Sequence, residues 1–192
     1  PEMSMVLFNL KSNDKPFLGE TAVRKALYTG LNRQRMVDQI LRGQAILADG
    51  PIFPGTWAYN EAIQRVNFDA TQAQDMLVEA GYVISAEDVT VRAKDGNQLA
   101  FNLIYPDTPE HEQIAQAIQK DWEAIQVRVD LEAVPYDILL NERLANRDFQ
   151  AAQIVSFRPT YRPSTPCRRP GKARCRPLWP MPERALCVLA AS

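Results

Sequence analysis

Between Leu99 and Ala133 two runs of alternating apolar residues bracket one helical stretch, and few folds accommodate that order. Leu99, Phe101, Leu103 and Tyr105 alternate with Ala100, Asn102 and Ile104 until Pro106 closes the strand. From Pro109 to Ile125, residues Ile114, Ala117, Ile118, Trp122 and Ile125 fall on one helical face, and Pro109 suits a first turn that needs no backbone donor there. Val127, Val129, Leu131 and Ala133 then alternate with Arg128, Asp130 and Glu132 up to Pro135. Strand, helix, strand at this spacing is a βαβ crossover, which is right-handed and sets its two strands parallel. The predicted fold class is therefore α/β or α+β, a mixed sheet covered by helices.

The flanking segments extend that plan. Val6–Leu10 reads as a short strand, followed by a polar loop broken by Pro16. Glu20 or Thr21 can cap a helix with Val23, Ala26, Leu27 and Leu31 on its buried stripe, and Asn32 a second helix that Gly43 ends. Asp69 caps a third helix, bearing Ala73, Met76, Leu77 and Ala80 and stopping at Gly81. Asp95-Gly96 is a hairpin turn after a weak strand at Val89–Arg92. Tyr136 to Asn146 reads as a short helix, and Phe149 to Val155 as a third, more central strand. Gly50 to Asn60, with two prolines, is neither helix nor central strand, yet it carries Phe53, Trp57 and Tyr59. Those aromatics either pack onto the domain or line a surface that meets something else.

Composition divides the chain near Ser156. Residues 157–192 hold 8 of the 22 Lys+Arg and 1 of the 23 Asp+Glu, a net of +7, together with 7 of the 14 prolines and all three cysteines; residues 1–156 carry a net of −8. The body can bury roughly two-thirds of its unfolded surface, enough for a core. The start, almost inside the apolar run Met5-Val6-Leu7-Phe8, has no signal-peptide layout and suggests that an upstream part is missing.

Chemistry-bearing patterns are sparse. His111, the single histidine, lies between Glu110 and Glu112 and reads as a solvated surface residue. No metal site is expected, because no set of His, Cys and carboxylate ligands converges, and no cofactor, because no glycine-rich phosphate-binding motif is present. Neither a Ser/His/Asp set nor a carboxylate pair can be assigned by spacing, so enzyme activity is not expected. Cys167, Cys175 and Cys187 match no redox or zinc spacing. The Arg/Pro run 158–176 lacks a periodic face, so specific nucleic-acid binding is not expected either. Asp107-Thr108-Pro109 stands between a strand's carboxyl end and a helix N-terminus, where open α/β sheets bind ligands; its other reading is a helix cap.

Several ordered segments of residues 5–155 resemble one family. They are Asn9-Leu10-Lys11 with Lys15-Pro16-Phe17, Val23-Arg24-Lys25-Ala26-Leu27 and Asn32-Arg33; the proline-rich loop 50–60; Asp69, Ala73, Leu77 and Glu79-Ala80-Gly81-Tyr82; and Ile114-Ala115-Gln116 with Asp121-Trp122-Glu123 and Val127-Arg128-Val129. The resemblance is to the bacterial family 5 extracytoplasmic solute-binding proteins, the dipeptide-, oligopeptide- and nickel-binding subunits of ABC importers. It implies a two-lobed protein that closes on a peptide or similar small solute and docks on permease subunits of the inner membrane. Such a protein is periplasmic or otherwise extracytoplasmic, membrane-associated, and expected to be a monomer. Residues 1–156 would be an incomplete periplasmic-binding-protein-like type II lobe, the partial C-terminal one. Within it Trp57, Tyr59, Tyr105 and Asp107 are the candidate ligand-binding residues, with packing as the other reading of Trp57.

Departures from the family pattern qualify that reading. Glu20 replaces the usual Asp, and Lys25 stands where Gln is common. Gln126 replaces a helix-ending Gly, at a cost of about 1 kcal/mol if its backbone is left-handed. An Arg that holds a carboxylate near the long helix start has no counterpart, since that region offers His111 and Glu112. Past residue 156 the expected Asp-Pro-rich continuation gives way to an Arg/Pro/Cys-rich tail with the composition of GC-rich coding DNA read out of frame. We expect 157–192 to be frameshifted and not to pack, and the lobe alone to bind peptide weakly or not at all. The competing reading is a small protein-interaction domain with a basic nucleic-acid-binding arm.

Overall fold

The computed structural model describes residues 2–11, 15–50, 52, 59–60, 62–63, 65–84, 89–157 and 184–188, with backbone alone at 156–157 and 184–188. In chain order the elements are β1 (Glu2–Phe8), α1 (Thr21–Thr29), α2 (Arg33–Gln39), β2 (Ala45–Leu47), α3 (Ala70–Glu79), β3 (Val83–Ile84), β4 (Arg92–Lys94), β5 (Asn97–Gln98), β6 (Ala100–Pro106), α4 (Pro109–Glu123), β7 (Arg128–Val134), α5 (Tyr136–Ile138), β8 (Ala151–Phe157) and β9 (Arg184–Val188). They form a six-stranded mixed sheet in the order β2-β9-β1-β8-β6-β7 and a small three-stranded sheet β3-β4-β5.

The crossover is present as expected. β6 and β7 run parallel, Ala100 opposite Arg128 through Pro106 opposite Val134, with α4 between them in the chain. β6 is buried on both faces, because Phe101 and Leu103 meet one side and Ala100 and Ile104 the other. The main core fills the helical side of the sheet. There Phe8, Phe17, Phe101 and Trp122 form an aromatic cluster with ring centroids 5.5–6.3 Å apart. The Trp122 indole donates to the Leu27 carbonyl at 2.9 Å, which ties α4 to α1. A satellite core of Ile104, Val134, Leu139 and Ala152 fills the opposite side.

Local chemistry sets the helix ends. The Asn32 and Asp69 side chains cap α2 and α3 by accepting from the amides of Arg35 and Gln72. Glu20 precedes α1 but does not cap it. Its carboxylate instead accepts from the Tyr82 hydroxyl at 2.8 Å and the Lys94 ammonium at 3.3 Å, joining α1 to the small sheet. Burial and this carboxylate together push the Tyr82 phenol above its ordinary range. α3 and α4 end alike. Tyr82 N–H bonds back to Leu77 with Gly81 at φ +90°, and Val127 N–H bonds back to Trp122 with Gln126 at φ +60°. The left-handed position foreseen for Gln126 is real.

Three expectations are corrected. β1 covers Glu2–Phe8 rather than Val6–Leu10; past it the Asn9 side-chain Nδ2 donates to the carbonyls of Arg147 and Phe149, anchoring the turn out of the strand. β4 is Arg92–Lys94 rather than Val89–Arg92; the Asp95-Gly96 turn, both residues at positive φ, pairs it with the two residues of β5. The short helix expected from Tyr136 is present, as one α-helical turn, α5, that widens into a π-helical stretch at Leu139–Leu144. The tail is not wholly outside the fold: β9 lies parallel between β1 and β2. All seven tail prolines precede it, so Arg184–Val188 keeps every backbone donor that a sheet interior requires. Residues 158–183, with the rest of the basic arm, lie outside the described residues.

Candidate functional site

β8 is parallel to β6 and antiparallel to β1, so the carboxyl ends of β6 and β8 and the start of β1 share one edge of the sheet. Glu2 and Phe157 are partners there. The N-terminus of the 15-residue α4 reaches the same edge. Between them lies a cavity of about 380 Å³. Ser4, Val155 and Pro106 give it a wall of sheet; Thr108, Glu110, His111 and Ile114 face them from the helix, and Glu2, Leu41 and Tyr136 complete the rim.

Each wall residue is held for a local reason. Thr108 caps α4: its hydroxyl accepts from the His111 amide at 3.4 Å and lies 2.6 Å from His111 Nδ1. Glu110 stands in the first turn, where a carboxylate is favoured by the helix dipole. The Tyr136 hydroxyl donates to the Val155 carbonyl at 3.2 Å, holding that ring over the end of β8.

Beneath the wall is an unusual group. Gln153 is fully buried in β8, opposite Val6 and two residues before Val155 on the same face of the sheet. Among the described residues neither its carboxamide oxygen nor its nitrogen has a hydrogen-bond partner. The Ser4 hydroxyl, opposite Val155, is unpartnered too. A buried amide without partners costs stability, so native chains keep few of them.

The sequence candidates are distributed unevenly around this place. Tyr105 is buried, two residues past Leu103, and Leu103 pairs with Ala151; it therefore shares the face of Gln153. Burial first, then the Glu112 and Asp107 carboxylates, hold its phenol above the ordinary value and so neutral. Asp107 is exposed on the strand-to-helix turn, its amide bonded to the Val134 carbonyl, and the cap role falls to Thr108. Tyr59 is half-buried and is not part of the cavity wall. Trp57 lies outside the described residues. His111 is half-buried in the wall rather than a fully solvated side chain. Sequence reasoning missed Ser4, Gln153 and Tyr136. Only Gln153 left a signal, as the lone amide in the middle of the otherwise apolar stretch Ala151–Val155.

Comparison with known proteins identifies the family. Residues 1–167 match the model described as bacterial extracellular solute-binding proteins, family 5 Middle. The chain belongs to that family. Among curated relatives of this family 5 chain, Di/tripeptide-binding protein 3 of Pseudomonas aeruginosa is 31% identical over 59% of the chain and 20% of the relative. Oligopeptide-binding protein AppA of Bacillus subtilis is 31% identical over 67% of the chain and 24% of the relative. The chain thus spans about a fifth to a quarter of the curated relatives it matches. Among solved structures, AppA in complex with a nonapeptide superimposes with a TM-score of 0.74 at 26% identity, covering 81% of this chain and 31% of that one. NikA of Brucella suis, in complex with Fe(III)-EDTA, gives 0.72 at 24% identity over 84% of this chain and 32% of that one, a likeness of fold.

Proposed function

We propose that this family 5 chain forms one wall of a solute-capturing cleft, taking a peptide or similar small solute outside the cytoplasmic membrane for delivery to an ABC permease. The observation that carries the reading is the cavity where β6 and β8 end and α4 begins, the place at which open α/β sheets bind ligands. The relatives named for di- and tripeptides, oligopeptides and nickel support solute capture as the activity.

The cavity wall suits binding rather than reaction. Among the described residues its wall carries no Lys or Arg, so it holds no fixed cation for a free carboxylate. The Ser4 hydroxyl offers a donor and an acceptor, which a neutral amide or hydroxyl of the solute satisfies. A single wall leaves the solute's other side in water, so affinity of the monomeric chain is weak. An NMR titration with di- and oligopeptides tests this. The expected result is millimolar binding with shifts confined to Ser4, Thr108, His111, Tyr136 and Val155. Shifts elsewhere only, or none at saturating peptide, contradict it.

A further inference from the structure

We propose that the cavity at the start of α4 seats one apolar side chain of the solute and turns away a charged one; the inference rests on the reading of this edge as a solute site. Leu41 and Ile114 line the cavity, are only 7% and 1% exposed, and belong to the main core. The cavity is therefore a gap at the margin of that core, and a side chain entering it continues the core outward. Pro106 and Val155 supply the sheet wall, and Pro106 has no backbone N–H to offer. At about 380 Å³ the space stands near the lower end of the range for small-molecule sites, ~300–1,000 Å³. That is room for one bulky side chain and some backbone, not for a whole oligopeptide.

The polar side chains of the wall are already committed. The Thr108 hydroxyl is engaged with the His111 amide and ring, and the Tyr136 hydroxyl with the Val155 carbonyl. Glu2, Glu110 and His111 each have a partner as well. Among the described residues of the wall, only the Ser4 side chain keeps an unpartnered polar atom, and its hydroxyl is neutral. A carboxylate or ammonium that enters gives up water and meets no uncommitted opposite charge, which is unfavourable. An apolar side chain gives up no hydrogen bond, and it removes its own surface and that of Leu41, Ile114 and Val155 from water.

A tripeptide series titrated into the full chain tests the preference. Ala-Leu-Ala, Ala-Asn-Ala and Ala-Asp-Ala share their termini and have central side chains of nearly equal shape; Ala-Lys-Ala adds a cation. With the methyl resonances of Leu41, Ile114 and Val155 as reporters, Ala-Leu-Ala should bind about tenfold or more tighter than the Asp and Lys peptides, with the Asn peptide between. Tyr136→Lys alters an exposed rim residue and supplies the missing cation, so it should raise the affinity for Ala-Asp-Ala relative to Ala-Leu-Ala by about fivefold. Equal affinities for the Leu, Asn and Asp peptides, with the methyl shifts in place, would overturn the side-chain preference and leave the solute site standing. An unchanged ratio in Tyr136→Lys would overturn the counter-charge argument behind it. Absence of methyl shifts with all four peptides would remove the site and the preference together.

Discussion

Gln153 lies directly opposite Val6 in the β1–β8 ladder, sealed from solvent with its carboxamide unpaired. Gln153→Leu, nearly the same in volume, should raise stability by about 1–2 kcal/mol in denaturant melts, since an orphaned buried amide is removed. A variant that loses stability would mean that the amide already has a partner.

Gln126 and Gly81 occupy the same left-handed position at the ends of α4 and α3. Glycine takes that conformation freely, and the Gln126 side-chain oxygen is buried without a partner as well. Gln126→Gly is therefore expected to stabilise by about 1 kcal/mol, and Gly81→Ala to destabilise by a similar amount. Thermal melts of the two variants should move in opposite directions.

Gly30 is needed for space rather than for backbone freedom. A methyl group there would stand 2.9 Å from Ile125 Cδ1 and 3.3 Å from the Ala73 Cβ, where the end of α1 meets α3 and the end of α4. Gly30→Ala should cost about 1–3 kcal/mol despite alanine's better helix propensity. An unchanged melting temperature would show that the three helix ends are loosely packed.

Asp121 is nearly buried, accepting from the Asn32 amide at 2.9 Å and from Arg35 at 2.6 Å. Burial raises its pKa above 3.8 in spite of these two partners, which pull it down. A carboxyl that holds its proton more tightly when folded adds stability as the proton binds. Its contribution is complete below the unfolded value near 3.8 and is lost as pH rises through the folded pKa. The stability of the wild-type chain relative to Asp121→Asn should therefore grow as pH falls from neutrality towards that value. A difference that shrinks on acidification would mean that the Arg35 pair outweighs burial.

The helices and the crossover were legible because their apolar residues keep one period: Ile114, Ile118, Trp122 and Ile125 on α4, and Phe101 and Leu103 on β6. Asn32, Asp69 and Gly81 marked their helix ends because side-chain acceptors and a missing Cβ have few other uses at those places. Gln126 was legible for the converse reason, an ordinary residue where the backbone asks for glycine. Gln153 was not, because a polar residue in a strand ordinarily implies a solvated face, whereas here it is fully buried. β9 was hidden by its neighbours: the prolines of 159–182 dominate the tail's composition and mask the short run that can pair. The cavity wall draws Ser4, Thr108, His111, Tyr136 and Val155 from four separate stretches, and only the parallel β6–β8 register brings them together.

The central claim is that this edge of the sheet is half of a solute-binding cleft. A crystal structure of the chain grown with a dipeptide at high concentration tests it most directly. The account predicts solute density between Ser4 and His111, with a hydrogen bond to the Ser4 hydroxyl. Density confined to other surfaces would contradict it.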